Sequence, residues 1–528
     1  HPTDGSFIID GNDGGLNISR DRGETWRFIR NLPLAQFYHI NYDMETPYNV
    51  YGGMQDNGSW RGPSQVYNVQ GIQNTYWEEL SFGDGFDVVP DRTDSRYGYT
   101  MSQQGNVVRY DLVTGFGKFI QPIHPDGEDL RFNWNAAIAE DPFNKSGVYF
   151  GSQYLHKSDD RGDRWTIISP DLSTNDPEKQ KSMESGGLTF DATGAENYTT
   201  ILAIAPSPLN KNVIWVGTDD GNLQLTRDGG ETWENKISAI KGVPAGAWIP
   251  QINPSTYNES EAFVVINDYR RGNWSPYIMH TNDFGKKWTN ILTTEKVKGY
   301  ALSFVQDPEV KNLYFVGTES GLYMSIDAGK SFTKFTNNYP SVSTMDMRIH
   351  PRENDLIIGT FGRAAYIIDN IQPLRDLAKE GLPLLNKPIH LFPIPESEMN
   401  VFKQPPGMRF GSDALFYGEN KKQGAMISYI ANPADKMKDS VLIEVFDKDD
   451  ALMTQIRKNP KEGVQRYYWA FNKKGIRFPN QAKPKNDLRE PRGGSVLPGE
   501  YKIKISYNGH ADSSIAKVNF DHRLKYKM

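Results

Sequence analysis

Carboxylates set in glycine turns are the residues of this chain whose types and spacing best suit chemistry. Asp13 lies in Gly11-Asn12-Asp13-Gly14-Gly15 and Asp84 in Phe82-Gly83-Asp84-Gly85-Phe86. Two carboxyls roughly 6.5–9.5 Å apart can hydrolyse a glycosidic bond with inversion, one as acid and the other as base toward a water. Asp56, His39, Asn133, Trp134, Asn135, Asp219, Trp248, Arg270 and Arg363 have the side chains of a sugar or peptide surface, with amides and charges to hydrogen-bond and indoles to stack. The same residue types have a plainer use. Asp and Asn before Gly are the ordinary residues of tight turns, and Trp215 suits a core.

The elements that must position these groups are read from residues 211–233, KNVIWVGTDDGNLQLTRDGGETW. Val213, Trp215 and Gly217 alternate with Ile214 and Val216 as in a pleated strand. Asp220-Gly221 supplies the positive-φ chemistry of a two-residue hairpin turn, and Leu223 and Leu225 resume the period of two. The stretch closes on Thr226-Arg227-Asp228-Gly229-Gly230-Glu231-Thr232-Trp233, an S/T-x-D-x-G-x-x-W box. In such a box the Asp accepts turn N–H groups, the Gly takes the left-handed position, the hydroxyl ties back, and the Trp is an apolar plug.

The box recurs from Ser19 to Trp26, from Ser158 to Trp165 and from Thr281 to Trp288, and with Phe for Trp from Ser325 to Phe332. Degraded copies hold Asp111 and Asp369. From Asp160 through Asp228, Asp283 and Asp327 to Asp369 the steps are 68, 55, 44 and 42 residues, the spacing of four-stranded propeller blades. Strand-turn-strand cores centre on Asn12–Gly15, Gln55–Gly58, Gln103–Gly105, Gln153–Leu155, Asp219–Gly221, Asp268–Asn273, Glu319–Gly321 and Phe361–Arg363. The expected fold is therefore all-β, a seven- or eight-bladed Asp-box β-propeller over residues 1–370. In such blades the boxes sit on one face. The turns between second and third strands and the blade-to-blade crossovers open on the other, and this brings the candidate site residues together.

Residues 371–387 read as a short helix and a Pro-punctuated linker. From 388 to 528 the pattern changes to the alternating runs Ala425–Ala431, Val441–Phe446, Arg466–Phe471 and Tyr501–Tyr507, expected to form an immunoglobulin-like β-sandwich. Residues 170–197 form a polar insert.

Composition narrows the function. Net charge is −6 over 528 residues and no basic stripe is present, which argues against a nucleic-acid partner. The chain has no cysteine, so disulfides, thiolate metal sites and Cys nucleophiles are excluded, though an extracellular address is not. No apolar run reaches the length of a membrane span, and neither a cofactor nor a metal is expected. Arg161-Gly162-Asp163 lies inside a box turn and reads as part of it. Asp447-Lys448-Asp449-Asp450 lacks the downstream residues of a calcium loop, and Pro125 and Gly127 break up His124 and Glu128. The first unit has no first strand and no leader precedes it, from which a longer precursor is expected.

Several stretches carry a family resemblance: Gly11–Gly15 with its box, Ala35-Gln36-Phe37-Tyr38-His39, Met54–Pro63 (MQDNGSWRGP), and Gly83–Phe86. Arg131–Asn135 (RFNWN), Gly217–Asn222 (GTDDGN), Gly359–Arg363 (GTFGR) and Val496–Lys504 continue it. Together they resemble the second half of large bacterial Asp-box proteins, labelled sortilin-like or as BNR-repeat glycosyl hydrolases. The resemblance covers nearly the whole chain. It implies a further propeller before His1 and a secreted or cell-envelope location. The implied role is recognition of a glycan or protein ligand through the face opposite the boxes, alone or within a larger surface assembly. The alternative is a glycoside hydrolase similar to the xyloglucan-cleaving tandem propellers, which have similar D-x-G-G turns and for which Asp13 in GNDGG and Asp84 in FGDGF are the candidate carboxylates. Fold alone does not choose between them.

Overall fold

The computed structural model describes residues 1–12, 14–187, 197–404, 415–433, 440–479 and 491–525. Asp13 lies outside the described residues. The chain divides into two compact units, one built mainly from residues 1–65 and 72–369 and the other mainly from residues 370–528, together with residues 66–71.

The first unit is a succession of antiparallel sheets, here numbered in chain order. Sheet 1 (residues 8–28) has three strands. Sheets 2 (37–81), 3 (88–119), 4 (138–167), 5 (201–235), 6 (248–290) and 7 (301–334) have four each, and sheet 8 (343–368) has three. Within each sheet every strand pairs with the next one in sequence, so the eight expected cores all appear as hairpins. The Val213–Gly217 alternation becomes the strand Ile214–Thr218, paired Trp215 to Leu225 and Gly217 to Leu223.

Apolar side chains weld consecutive sheets to one another. Trp215, Leu223 and Leu225 of sheet 5 share a buried cluster with Ile249, Ile252 and Val264 of sheet 6. Met101 and Val107 of sheet 3 do the same with Val148 and Phe150 of sheet 4, and Phe263 and Val265 of sheet 6 with Phe304 and Val316 of sheet 7. Ile40 and Val50 of sheet 2 pack with Ile357 of sheet 8, and Gln36 bridges to Phe361. The last sheet therefore meets the second.

All five boxes form as hydrogen-bonded units. In the box at Thr226, the hydroxyl donates to Asp228 at 2.7 Å and accepts the Gly230 N–H at 2.9 Å, while Asp228 accepts the Thr232 N–H at 2.9 Å. The Ser19, Ser158, Thr281 and Ser325 boxes repeat this pattern. The expectation that one Gly takes the left-handed position falls one residue short. The residue before it is left-handed too, at Arg22, Arg161, Phe284 and Ala328 (φ 58–65°). A side chain there is strained, and the hydroxyl clamp on the following N–H holds it in place.

In the second unit, a three-stranded sheet (Ile389–Leu391, Ala425–Ala431, Lys461–Trp469) and a five-stranded sheet contribute to one apolar core. The larger sheet is made of Ser397–Met399, Val441–Phe446, Leu452–Lys458, Gly499–Tyr507 and His510–Phe520. Residues 371–387 are more structured than a linker: a helix over Gln372–Glu380 buries Leu377 and Ala378. Among the described residues, no helix is long and apolar enough to cross a membrane.

Candidate functional site

The first strands of the sheets carry a polar cluster. His39 of sheet 2 approaches Asp346 of sheet 8 (Nδ1 to Oδ2, 3.4 Å), and Arg348 donates to the other oxygen at 2.8 Å. Asn135, just before sheet 4, meets His39 Nε2 at 2.8 Å, and Gln251 of sheet 6 reaches Asp346 at 3.4 Å. Sheets that are not neighbours thus touch through side chains from their first strands, which places these strands innermost. Burial opposes the charged imidazole of His39, but Asp346 and Asp87 outweigh it and hold its pKa above the ordinary histidine value. Burial raises the pKa of Asp87, whose Oδ1 has no hydrogen-bond partner.

Nearby lies a second group. Tyr38 donates to Gln55, Gln55 donates to Asp56 Oδ1 at 3.1 Å, and the Asp56 N–H bonds Asp84 Oδ1 at 2.9 Å. Gln103 accepts the Asp84 N–H at 3.3 Å. Asp84 is 5 % exposed. Burial raises its pKa; the Asp56 N–H pulls it down, while the nearby Asp56 carboxyl pushes it further up. Glycines permit this approach: a Cβ on Gly85 would lie 2.1 Å from the Gly58 carbonyl, and one on Gly53 would lie 2.2 Å from that of Phe86. The Tyr38 hydroxyl is raised by burial first and by Asp84 second, and it also feels Tyr269 and Arg270. The turn of sheet 6 therefore belongs to the same neighbourhood.

The remaining candidates fall in different settings. Asn133 and Asp219 are fully buried and bonded to each other at 2.8 Å, with Thr200 donating to Asp219 through both its N–H and its hydroxyl. They tie sheet 4 to sheet 5. Burial, reinforced by Asp220, pushes the Asp219 pKa up to about 7. Trp134 packs against the core shared by sheets 3 and 4. Trp248 carries the Arg270 guanidinium over its ring, 3.5 Å from the centroid. Arg363 is exposed, beside Phe361, whose ring meets Tyr38 edge-on at 5.6 Å. Among the described residues, no group of three or more His, Asp or Glu is placed to hold a metal ion.

Sequence reasoning missed Tyr38, Gln55, Tyr269 and Tyr300 as site residues. The alternation of Asp346 and Arg348, two apart on one strand face, was a usable signal for the inner cluster. Nothing in the sequence alone paired Asp346 with His39.

The sheets and boxes define the protein's class: an all-β chain of successive antiparallel Asp-box sheets, the build of a β-propeller. A family model described as "Sortilin, neurotensin receptor 3" matches residues 276–370, from the third strand of sheet 6 to the end of sheet 8. No curated protein matches the chain. Among solved structures, YCF48 bound to D1 peptide aligns at 11 % identity, covering 65 % of this chain and 95 % of that one, with a TM-score of 0.42. An ancestral GH74 enzyme aligns at 14 % identity, covering 64 % and 39 %, with a TM-score of 0.36. The Niastella koreensis GH74 enzyme aligns at 15 % identity, covering 70 % and 67 %, with a TM-score of 0.26.

Proposed function

We propose that the chain is an extracellular or cell-envelope recognition module that binds a glycan or polypeptide on the propeller face opposite the boxes. On this reading sheets 2 to 8 close as a seven-bladed ring, and the sandwich after residue 388 is immunoglobulin-like. The observation that carries binding over catalysis is the setting of Asp84, whose Oδ1 accepts the Asp56 N–H at 2.9 Å within a buried turn. A carboxylate engaged by a turn N–H and closed off from solvent holds the turn, whereas a glycosidase acid must reach the glycosidic oxygen with a second carboxyl across a gap that admits a water.

The second reading, a glycoside hydrolase, draws on the raised pKa of Asp84, which suits a general acid. It needs Asp13 or another carboxyl at the working distance.

Titration of the chain with a panel of glycans and peptides, alongside an assay for newly released reducing ends, tests both readings. Trp248→Ala should weaken binding by about 1–3 kcal/mol, as loss of an interface aromatic does, and no reducing ends should appear. Cleavage abolished by Asp84→Asn would establish the hydrolase instead.

A further inference from the structure

On the same face, five rings and two cations follow one another in contact. The Lys179 ammonium lies 5.0 Å above the Tyr198 ring, and Tyr198 lies 6.3 Å from Trp248. Arg270 sits 3.5 Å above Trp248 and 4.5 Å from Tyr269. Tyr269 stacks on Tyr300 at 4.4 Å, and Tyr300 meets Trp274 at 5.6 Å. The series runs across the ends of sheets 5, 6 and 7, and Trp274 is 56 % exposed.

Neither cation has a carboxylate partner among the described residues, although acidic residues outnumber basic ones, 65 to 59. Arg271, next in sequence, shows the contrast: its Nε bonds Asp268 at 2.6 Å and its Nη2 the Ala245 carbonyl at 2.9 Å. Arg270 is held by rings instead. A guanidinium packed on two aromatic rings is held in place without using its N–H groups, and its N–H fork matches a carboxylate in two parallel hydrogen bonds.

We propose that this series is a binding track for a carboxylated polysaccharide, with Arg270 seizing a uronate and Trp274 stacking on a neighbouring sugar ring. The proposal rests on the reading of this face as a binding surface and names its ligand class. The flat C–H face of a pyranose suits an exposed indole such as Trp274. A polypeptide is recognised through strand edges, side-chain pockets or helix grooves, whereas this track offers one exposed indole, Trp274, beside an exposed cation. A phosphate polymer would call for more cations than two on a chain of net charge −6.

Oligogalacturonates supply the test, compared with the same oligosaccharides methyl-esterified and with poly-L-glutamate, by calorimetry on the full chain. Free oligogalacturonate should bind, and esterification should weaken binding at least 10-fold. Arg270→Gln and Trp274→Ala should each cost 10-fold or more, with unchanged thermal midpoints. Arg270→Lys, which keeps the charge but not the fork, should fall between. Equal binding of free and esterified sugar, insensitive to Arg270→Gln, would overturn the uronate assignment and leave the face as a neutral-glycan surface. Preference for poly-L-glutamate would overturn the polysaccharide. Absence of binding to all three would overturn the track, and the wider reading falls only if the broad glycan and peptide panel is silent as well.

Discussion

Trp233 donates its indole N–H to the carbonyl of Ile168 at 3.1 Å, reaching from the box of sheet 5 to the end of the outer strand of sheet 4. Trp165 does the same from sheet 4 to Ile120 of sheet 3, at 2.7 Å. The plugs of these two boxes are thus joints between sheets as well as turn fillers. Trp26 has the same box around it but is 46 % exposed, and sheet 1 pairs only within itself.

Trp233→Ala should therefore destabilise the chain by about 3 kcal/mol, the lower end for aromatic truncation because the ring is half-buried. Trp26→Ala should stay within about 0.5 kcal/mol. Chemical denaturation of both variants provides the comparison, and equal losses would contradict the joint.

Box carboxylates set an acid limit on stability. Hydrogen bonds from Thr232, first its hydroxyl and then its N–H, lower the Asp228 pKa to about 2, and the matching bonds from Thr25 do so for Asp21. Arg164, through its side chain, holds Asp160 at about 2 as well. A carboxyl lowered on folding stabilises above its unfolded pKa, near 3.8, and loses that contribution as pH falls through about 2. Asp228→Asn should melt below the wild type at pH 7, with the gap closing between pH 4 and pH 2. A gap independent of pH would assign the loss to shape rather than charge.

The repeat was legible because each box is local. Ser or Thr, Asp and Gly lie within five residues, and their bonds close within one turn. Spacing between boxes then located the sheets. What the sequence did not show is long-range. Asp219 reads as a surface turn residue, yet it is buried because Thr200 and Asn133 of the neighbouring connections converge on it. Trp134 reads as an exposed crossover platform, but Phe132 and Ala136 on either side enter the core of sheets 3 and 4 and take it with them. Arg270 was placed on the right turn, but its capture by Trp248 and Tyr269 depends on a register between strands that periodicity does not specify.

The inner cluster makes a separate prediction. Asp346 is buried and holds both His39 and Arg348. Removing its carboxyl in Asp346→Ala leaves two cationic groups facing each other without their anion, which costs about 3–5 kcal/mol for a buried pair. His39 has a raised pKa, so its contribution is complete below about 6.5 and is lost as pH rises through the folded value. Histidine NMR across that range should show the His39 transition above 6.5 in the wild type and at a lower pH in the milder Asp346→Asn. An unmoved transition would show that Asp346 does not set it.

Asp84 depends on glycine for its position, and this can be tested without touching a polar group. Gly85 lies against the backbone of sheet 2, where a Cβ would meet the Gly58 carbonyl at 2.1 Å and the Gly53 Cα at 2.9 Å. No rotamer relieves such a clash, because both neighbours are backbone, so the turn carrying Asp84 must move away from Asp56. Gly85→Ala should cost about 1–3 kcal/mol, the usual range for overpacking. Gly11→Ala, where nothing lies within 4 Å of the new Cβ, serves as the control and should be nearly silent. The displaced turn admits water to Asp84 and moves it away from the Asp56 carboxyl, which together outweigh the loss of the Asp56 N–H bond, so the pKa of Asp84 should fall toward that of a free carboxylic acid. Carboxyl 13C NMR, with Asp84→Asn to assign the signal, reads this directly. A Gly85→Ala chain that kept both its stability and a raised Asp84 pKa would show that the glycine contact does not hold the pair together.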